Sequence, residues 1–578
     1  MLEKIREVAY KHAIINAVKH MGKADLKAVV SKIAAELPEA RGALRSLMDF
    51  VKNIVEEVNK LDFEEQLKIA RTNWPELIEE KTIEYKKELP PLPSAIEGKI
   101  VTRLAPNPDF TLHLGNARPA LLNYWYAKIY RGKMILRFED TDPRIKAPYP
   151  DTYESIKRDL EWLGVSWDEE YIQSLRLPLF YEIAKELISR GGAYVDLCDN
   201  KTFKQYRNKG LACPHREKPI EYQLDEWDKI MEGHYSEGEV VVRVKTDVQH
   251  PDLSVRDWVA FRIIDTSKTP HPIVGEKYAL WPTYNFAAGV DDHLMGVTHI
   301  LRAKEHITNT IKQRYLYDHM GWKYPETIHF GRLSLEGVAL SKSKTKKLIA
   351  EKGISSYSDP RLGTIQGLRR RGIVKETIWK LIKEVGIKGI DAKISLANLY
   401  AINRINIDPV ANRYMAVESP VKLVLRGIKD ELRAMIPVHP SRKEYYTYAI
   451  KDEDIVSISR QDLETVRGKI FRLMGLANFE LKSVIEKDEL LYIADLHSVE
   501  HDAIKKYDAP VIQWVFNVES VVGKMLKSQG LLLEEKTLLI ERRILREKVD
   551  SIIQLYRIGF ARVDEIGENS ITLIFSHD

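Results

Sequence analysis

Cysteine is almost missing: Cys198 and Cys213 are the only two in 578 residues. That scarcity excludes a disulfide scaffold and fits a reducing compartment. Long apolar runs are missing too. No uncharged stretch comes near the roughly 18 residues that would cross a membrane. The opening Met1-Leu-Glu-Lys-Ile-Arg6 has no apolar segment of the kind a secretory leader requires. A strong excess of one charge is also lacking. The formal net charge is only +5, so any nucleic-acid contact has to come from local patches, such as Lys342 to Lys347 or Arg369 to Arg371. Internal repeats and low-complexity segments are absent. The expectation is a cytoplasmic chain without a membrane association.

What is present is enough apolar material for packed cores, 44% of residues, in a length that implies about three to five domains. The 30% of charged residues is compatible with a heat-adapted source. Residues 1–88 show helical periodicity, as in Met48-Val51-Ile54-Val55-Val58. Leu89-Pro-Pro-Leu-Pro-Ser94 then breaks any helix. From 98 to 193 strand and helix patterns alternate, which predicts half of a parallel nucleotide-binding sheet. Residues 194–280 carry short strands and many turn residues, and the sheet resumes over 281–329. Residues 330–395 hold a lysine-rich loop and a helical stretch. From 396 to 578 short alternating segments, such as Ala416 to Leu425 and Leu490 to Ala494, predict a β-rich unit.

Two segments carry the chemistry. Arg103-Leu-Ala-Pro106-Asn107-Pro-Asp-Phe-Thr-Leu-His113-Leu-Gly115-Asn116-Ala-Arg118 reads as strand, proline-stiffened loop and helix start. Such a turn aims helix N–H groups at phosphates. Far downstream, Leu340-Ser341-Lys342-Ser343-Lys344 places a lysine and two hydroxyls on a loop after the hairpin-like Leu335 to Val338. An ammonium there can follow charge developing on a transferring phosphate. Neither segment is diagnostic alone.

Together they resemble the His-x-Gly-His and Lys-Met-Ser-Lys-Ser signatures of class I aminoacyl-tRNA synthetases. Between and after them lie Ile135-Leu-Arg-Phe-Glu-Asp-Thr-Asp-Pro-Arg144, Pro282-Thr-Tyr-Asn-Phe286, Val290-Asp-Asp-His-Leu-Met-Gly-Val-Thr-His299 and Asp359 to Arg371. These are similar to the glutamyl/glutaminyl branch, in family order, over residues 98 to 420. The helical residues 1–88 and the β-rich C-terminus resemble the archaeal-type glutamyl enzymes. The resemblance implies a multidomain protein: an α/β Rossmann-type catalytic domain with an α+β insertion at 194–280 that grips the tRNA acceptor end, an all-α N-terminal extension, and all-β anticodon-binding barrels. Two positions depart from the pattern. Asn116 stands where a second histidine is usual, and Ala339 where a first lysine often lies.

The resemblance also implies roles. ATP with Mg²⁺ activates L-glutamate, and the acyl group passes to the end of the tRNA. Pro106, Asn107, His113, Gly115, Asn116 and Lys342 would hold ATP, with Ser341 and Ser343 flanking the catalytic lysine. Arg103, Glu139, Tyr284 and Arg302 would hold the amino acid, with Glu139 on its ammonium group. Arg302 bears on substrate choice, because glutaminyl enzymes carry a neutral residue there and a guanidinium suits a γ-carboxylate. Asp196-x-Cys198 and Cys213-x-His215 resemble a zinc cluster of the insertion in related enzymes. Because Asp196 replaces a thiolate, zinc and a metal-free remnant both stay open. Also open are charging of glutamine tRNA as well as glutamate tRNA, a glutaminyl-tRNA ligase, and a non-charging RNA-binding relative. A monomer is the expected state.

Overall fold

The structure, a computed structural model, describes residues 2–19, 22–37, 40, 47–74, 89–338, 345, 351, 354, 356–486 and 490–578. These fall into two units, Met1–Glu88 and Leu89–Asp578.

The first unit is helical, with helices at Leu2–Lys19, Leu26–Glu36, Met48–Asn59 and Phe63–Asn73. Asp25 and Asp62 start the second and fourth. Their carboxylates accept from the backbone N–H groups of Ala28 and Glu65, each at 2.8 Å, a cap worth about 1 kcal/mol. Val51, Ile54, Val55 and Val58 recur at helical spacing, and all four are buried. The buried Gln66 amide donates to the carbonyls of Gly22, Val58 and Leu61, tying the turns to this core.

In the second unit, Val101–Leu104, Lys133–Phe138 and Glu169–Ile172 form a parallel sheet. His299–Ala303 and Glu326–Phe330 form a second parallel pair. Thr298 N–H donates to the Val101 carbonyl at 3.0 Å, and Val101 N–H to the Thr298 hydroxyl at 2.9 Å. The pair therefore lies beside the first strand, on the side away from Lys133–Phe138. The chain leaves Val101–Leu104 in one direction and returns on the other, which opens a crevice at the carboxyl ends of these strands. Arg103, Glu139 and Arg302 all stand at those ends.

The insertion is a four-stranded antiparallel sheet of Ala193–Asp196, Val241–Val244, Val259–Ile263 and Leu280–Pro282. Its core includes Trp227, Phe261, Trp281 and Phe286. Two expectations change beyond it. Leu335 lies on a strand, Leu333–Leu335, whose partner among the described residues is the parallel Ala392–Ile394. The β-rich unit also starts later than 396, because Leu396–Ile407 is a helix. Ser395 caps it at Asn398 N–H, and Leu399, Ile402 and Ile407 bury one face. Two seven-stranded sheets follow among the described residues, one from strands within 420–516 and one from 412–418 with 520–577. The chain begins the second sheet, builds the first, and then returns.

Candidate active site

The first signature segment ends in the helix Leu114–Ile129, with His113 as its N-cap residue. The backbone N–H of His113 donates to Asn116 Oδ1 at 3.1 Å. Asn116 thus closes the helix start, a task its amide oxygen performs while leaving the N–H₂ for a ligand. Gly115 has a steric reason: a Cβ there would lie 2.9 Å from His113 Cε1 and 3.0 Å from Nδ1. His113 is half-buried, and the loss of water around its imidazole lowers its pKa to about 4, so it is neutral at physiological pH. Its Nδ1 has no partner among the described residues, and neither does the buried Oδ1 of Asn107. Both are vacant hydrogen-bonding positions beside a helix N-terminus. Pro106 is placed by its carbonyl, which accepts from Glu139 N–H at 3.0 Å. Arg118, the last residue of the segment, is structural. It is buried and bonds the carbonyls of Gly331, Gly386 and Lys388.

Ser341, Lys342 and Ser343 lie outside the described residues, as does most of the Lys342 to Lys347 patch. The chain on both sides of them is placed. Leu333 O would be 3.9 Å from a Cβ at Gly115. On the far side, Thr364 forms an isolated antiparallel bridge with His113. Leu114 N–H donates to Gly363 O and Ile365 N–H to Leu112 O.

The four residues assigned to amino-acid binding come together. Arg103 gives two hydrogen bonds to Asp292, at 3.0 and 3.4 Å. Arg137 joins Asp292 at 2.8 Å to Glu139 Oε1 at 3.0 Å. Burial alone would raise Asp292, but Arg103 and Arg137 hold it below its ordinary pKa. Glu139 is raised, because burial outweighs the pull of the same two arginines. Tyr284 is half-buried, within electrostatic reach of Glu139, Arg302 and Arg103, and its hydroxyl lies 3.4 Å from His306 Nδ1.

Arg302 differs from the other two arginines. Its Nη2 donates to Thr310 Oγ1 at 2.5 Å, Gln313 Oε1 at 3.0 Å and Tyr324 OH at 3.1 Å, all neutral. Among the described residues its Nε and Nη1 are buried without a partner of good hydrogen-bond geometry, Tyr284 being the polar group nearby. Burial would lower its pKa, yet the nearby Tyr284, Tyr324 and Asp292 keep it above the ordinary value. Among the described residues the pocket therefore holds three guanidinium groups, Arg103, Arg137 and Arg302, against two carboxylates, Glu139 and Asp292. The neighbouring Asp291 is occupied by Arg176 at 2.9 Å.

Arg137, Asp292, His306 and Gln313 were not singled out by sequence. Arg137 and Asp292 sit inside the quoted segments, so a charge written between buried apolar residues was the available signal. His306 and Gln313 gave none. The Arg369 to Arg371 patch is only partly open: Arg369 is exposed and Arg370 half-buried. Arg369 pairs with Asp550 at 3.1 Å and Arg370 with Asp564 at 2.7 Å. Arg371 is buried on the Pro360 carbonyl. These arginines fasten helix Ile365–Arg370 to the C-terminal sheet.

In the insertion, Asp196, Cys198, Cys213 and His215 bring their ligand atoms within 4.8 Å of one another. The sulfurs are 3.3 Å apart, His215 Nδ1 is 3.4 Å from Cys198 Sγ and 3.3 Å from Cys213 Sγ, and Asp196 Oδ1 is 3.2 Å from both Cys213 Sγ and His215 Nδ1. Arg243 holds the other Asp196 oxygen at 2.6 Å.

Among the described residues no helix is long and apolar enough to cross a membrane. The family model "tRNA synthetases class I (E and Q), catalytic domain" matches residues 99–409, and the corresponding "anti-codon binding domain" matches 411–497. A protein named glutamate--tRNA ligase from Staphylothermus marinus is 59% identical over 98% of this chain and 100% of its own. Proteins of the same name from Pyrobaculum aerophilum and Hyperthermus butylicus are 52% and 51% identical, over 96% and 98% of this chain and 98% and 100% of theirs. With the signature loop, the buried arginine pocket and the β-rich C-terminus all in the family's order, this chain belongs to the class I tRNA synthetases for glutamate and glutamine.

Proposed function

We propose that this protein is a glutamate–tRNA ligase that activates L-glutamate with ATP and transfers it to the 3′ end of tRNA. The observation that carries glutamate over glutamine is the uncompensated Arg302. A buried guanidinium with two unpartnered N–H faces is costly unless a ligand brings a negative charge. The glutamate γ-carboxylate supplies one. A glutamine amide would leave the charge unpaired, a difference of several kcal/mol.

In the first step a carboxylate oxygen of the amino acid attacks the α-phosphorus of ATP, and pyrophosphate leaves. Glu139 Oε2, the oxygen not bonded to Arg137, receives the substrate ammonium. Neutral His113, the Asn116 amide and the N–H groups at the start of Leu114–Ile129 hold ATP, with Asn107 offering an acceptor. Lys342 meets charge that develops on the phosphates. The anchoring of both flanks, Leu333 and Thr364, beside His113 supports that placement. Mg²⁺ accompanies the ATP phosphates; among the described residues near His113 no group of three acidic or histidine ligands is assembled to hold it separately. In the second step the terminal ribose hydroxyl of the tRNA attacks the acyl carbon, and AMP leaves. No protein nucleophile is needed, and positioning supplies the rate.

The insertion cluster fits structural zinc. Metal–ligand bonds of about 2.0–2.3 Å in a tetrahedron put ligand atoms about 3.3–3.8 Å apart, close to the separations observed. Asp196, Cys198, Cys213 and His215 would hold the ion, with Arg243 orienting the carboxylate. Pyrophosphate exchange with glutamate and with glutamine, each with and without tRNA, tests the whole reading. Exchange with glutamine alone would replace it by a glutaminyl-tRNA ligase, and no exchange by a non-charging relative. Charging assays on purified glutamate and glutamine tRNAs decide the tRNA range.

A further inference from the structure

We infer that Gln313 is the positioning residue that makes Arg302 selective, because it grips the guanidinium firmly while withholding a charge. This rests on the proposed pairing of Arg302 with the substrate γ-carboxylate and goes one layer behind it. Gln313 is fully buried on the helix Ile307–Met320. Its Oε1 accepts from Arg302 Nη2 at 3.0 Å and from Tyr324 OH at 2.7 Å. Thr310, one turn earlier on the same helix face, adds its hydroxyl to Nη2. One nitrogen of the guanidinium is thus held by three oxygens from two elements, which fixes its plane. Among the described residues the other two, Nε and Nη1, have no hydrogen-bond partner of good geometry, and neither has Gln313 Nε2.

The neutrality of this clamp is its point. Arg103 and Arg137, in the same crevice, are each satisfied by Asp292 or Glu139. Their charge is spent inside the protein. A glutamate in place of Gln313 would have nearly the same shape and would reach the same Nη2, but it would neutralise Arg302 permanently. A substrate carboxylate would then meet a guanidinium already paired and a second carboxylate nearby. An amide would meet an acceptor that suits its N–H₂. Specificity would be lost through repulsion and not through a missing contact.

The test is amino-acid activation by the full-length enzyme, measured as kcat/KM for glutamate and for glutamine. Gln313→Glu should lower the glutamate value by at least about tenfold and the glutamine value far less, shrinking the preference by the same factor. Gln313→Met, of similar volume but with neither the grip nor a charge, should raise KM for glutamate and shrink the preference, though less than Gln313→Glu does. If Gln313→Glu does not fold, Thr310→Asp delivers a carboxylate to the same nitrogen and should give the same loss. Arg302→Ala separates the two layers. Should Arg302→Ala abolish the preference while both added carboxylates leave it intact, Gln313 has no such role and the proposed pairing stands. Should Arg302→Ala itself keep the preference, the pairing is wrong and the inference falls with it. An equal loss for both amino acids in Gln313→Glu would mark Gln313 as structural only and overturn the inference.

Discussion

Thr364 forms an antiparallel bridge with His113 across 251 positions of sequence, closed by hydrogen bonds from Leu114 N–H to Gly363 O and from Ile365 N–H to Leu112 O. Gln366 strengthens the joint, donating to Ser155 Oγ at 2.7 Å and to Thr111 Oγ1 at 3.2 Å. The end of the first signature segment thus shares a short backbone ladder with residues 363–365, far downstream in sequence.

From that joint follows the expectation for Lys342. If its ammonium meets phosphate charge mainly as pyrophosphate departs, Lys342→Ala should cut kcat by about 10²–10³-fold while KM for ATP changes much less. Steady-state kinetics of pyrophosphate exchange measure both. Turnover close to that of the parent enzyme would move the role to another cation, with Lys344 the first to test.

Removing the unpaired guanidinium should be felt by one amino acid. Arg302→Ala is expected to weaken glutamate activation by at least about 2–3 kcal/mol, roughly 30- to 150-fold, since a substrate carboxylate would be desolvated without compensation. Glutamine should lose little. Parallel kcat/KM measurements settle it, and equal losses for the two substrates would reject the assignment.

Metal content is the measurement for the insertion. Protein purified without chelators should carry about one equivalent of zinc, and Cys213→Ser should release it and lower the melting temperature of the insertion. A zinc-free wild-type protein with an unchanged Cys213→Ser melt would leave the cluster as a remnant held by Arg243.

Acid stability has a sign that two desolvated histidines set. His306 is lowered to about 4, chiefly by burial and then by Arg302 and Arg103, and His113 is lowered to about 4 by burial. Between pH ~6.5 and ~4 the unfolded chain binds more protons than the folded one. The stability these groups allow is therefore complete above pH ~6.5 and lost as pH falls through ~4. Asp159, pushed up to about 6 by burial, works in the opposite direction over pH ~4 to ~6. Denaturant unfolding of the wild type and His306→Gln at pH 7 and 4.5 should show the variant losing about 2 kcal/mol less on acidification. Identical losses would mean that His306 is charged or exposed in the folded state.

The sequence by itself determined the elements whose causes are local. The Met134 to Phe138 strand, the helix beginning at Leu114 and the helices of the first unit follow from apolar spacing and from residues that cap a neighbour three or four positions away. Residue identity within recognisable segments also singled out Arg103, Glu139, Tyr284 and Arg302, which the fold brings into one crevice. The start of the β-rich unit was misplaced, because Ala392 to Ile407 mixes strand-like and helix-like spacing until Ser395 caps the helix. Tertiary structure alone decided which charges remain available. Asp292 could have left any of three arginines unpaired; packing brings it to Arg103, 189 positions away, and to Arg137, and leaves Arg302 to neutral partners. It likewise paired Arg369 and Arg370 with Asp550 and Asp564. Local pattern reports the free energy of neighbours along the chain, whereas a buried charge is set by the low-dielectric surroundings that only the folded core assembles.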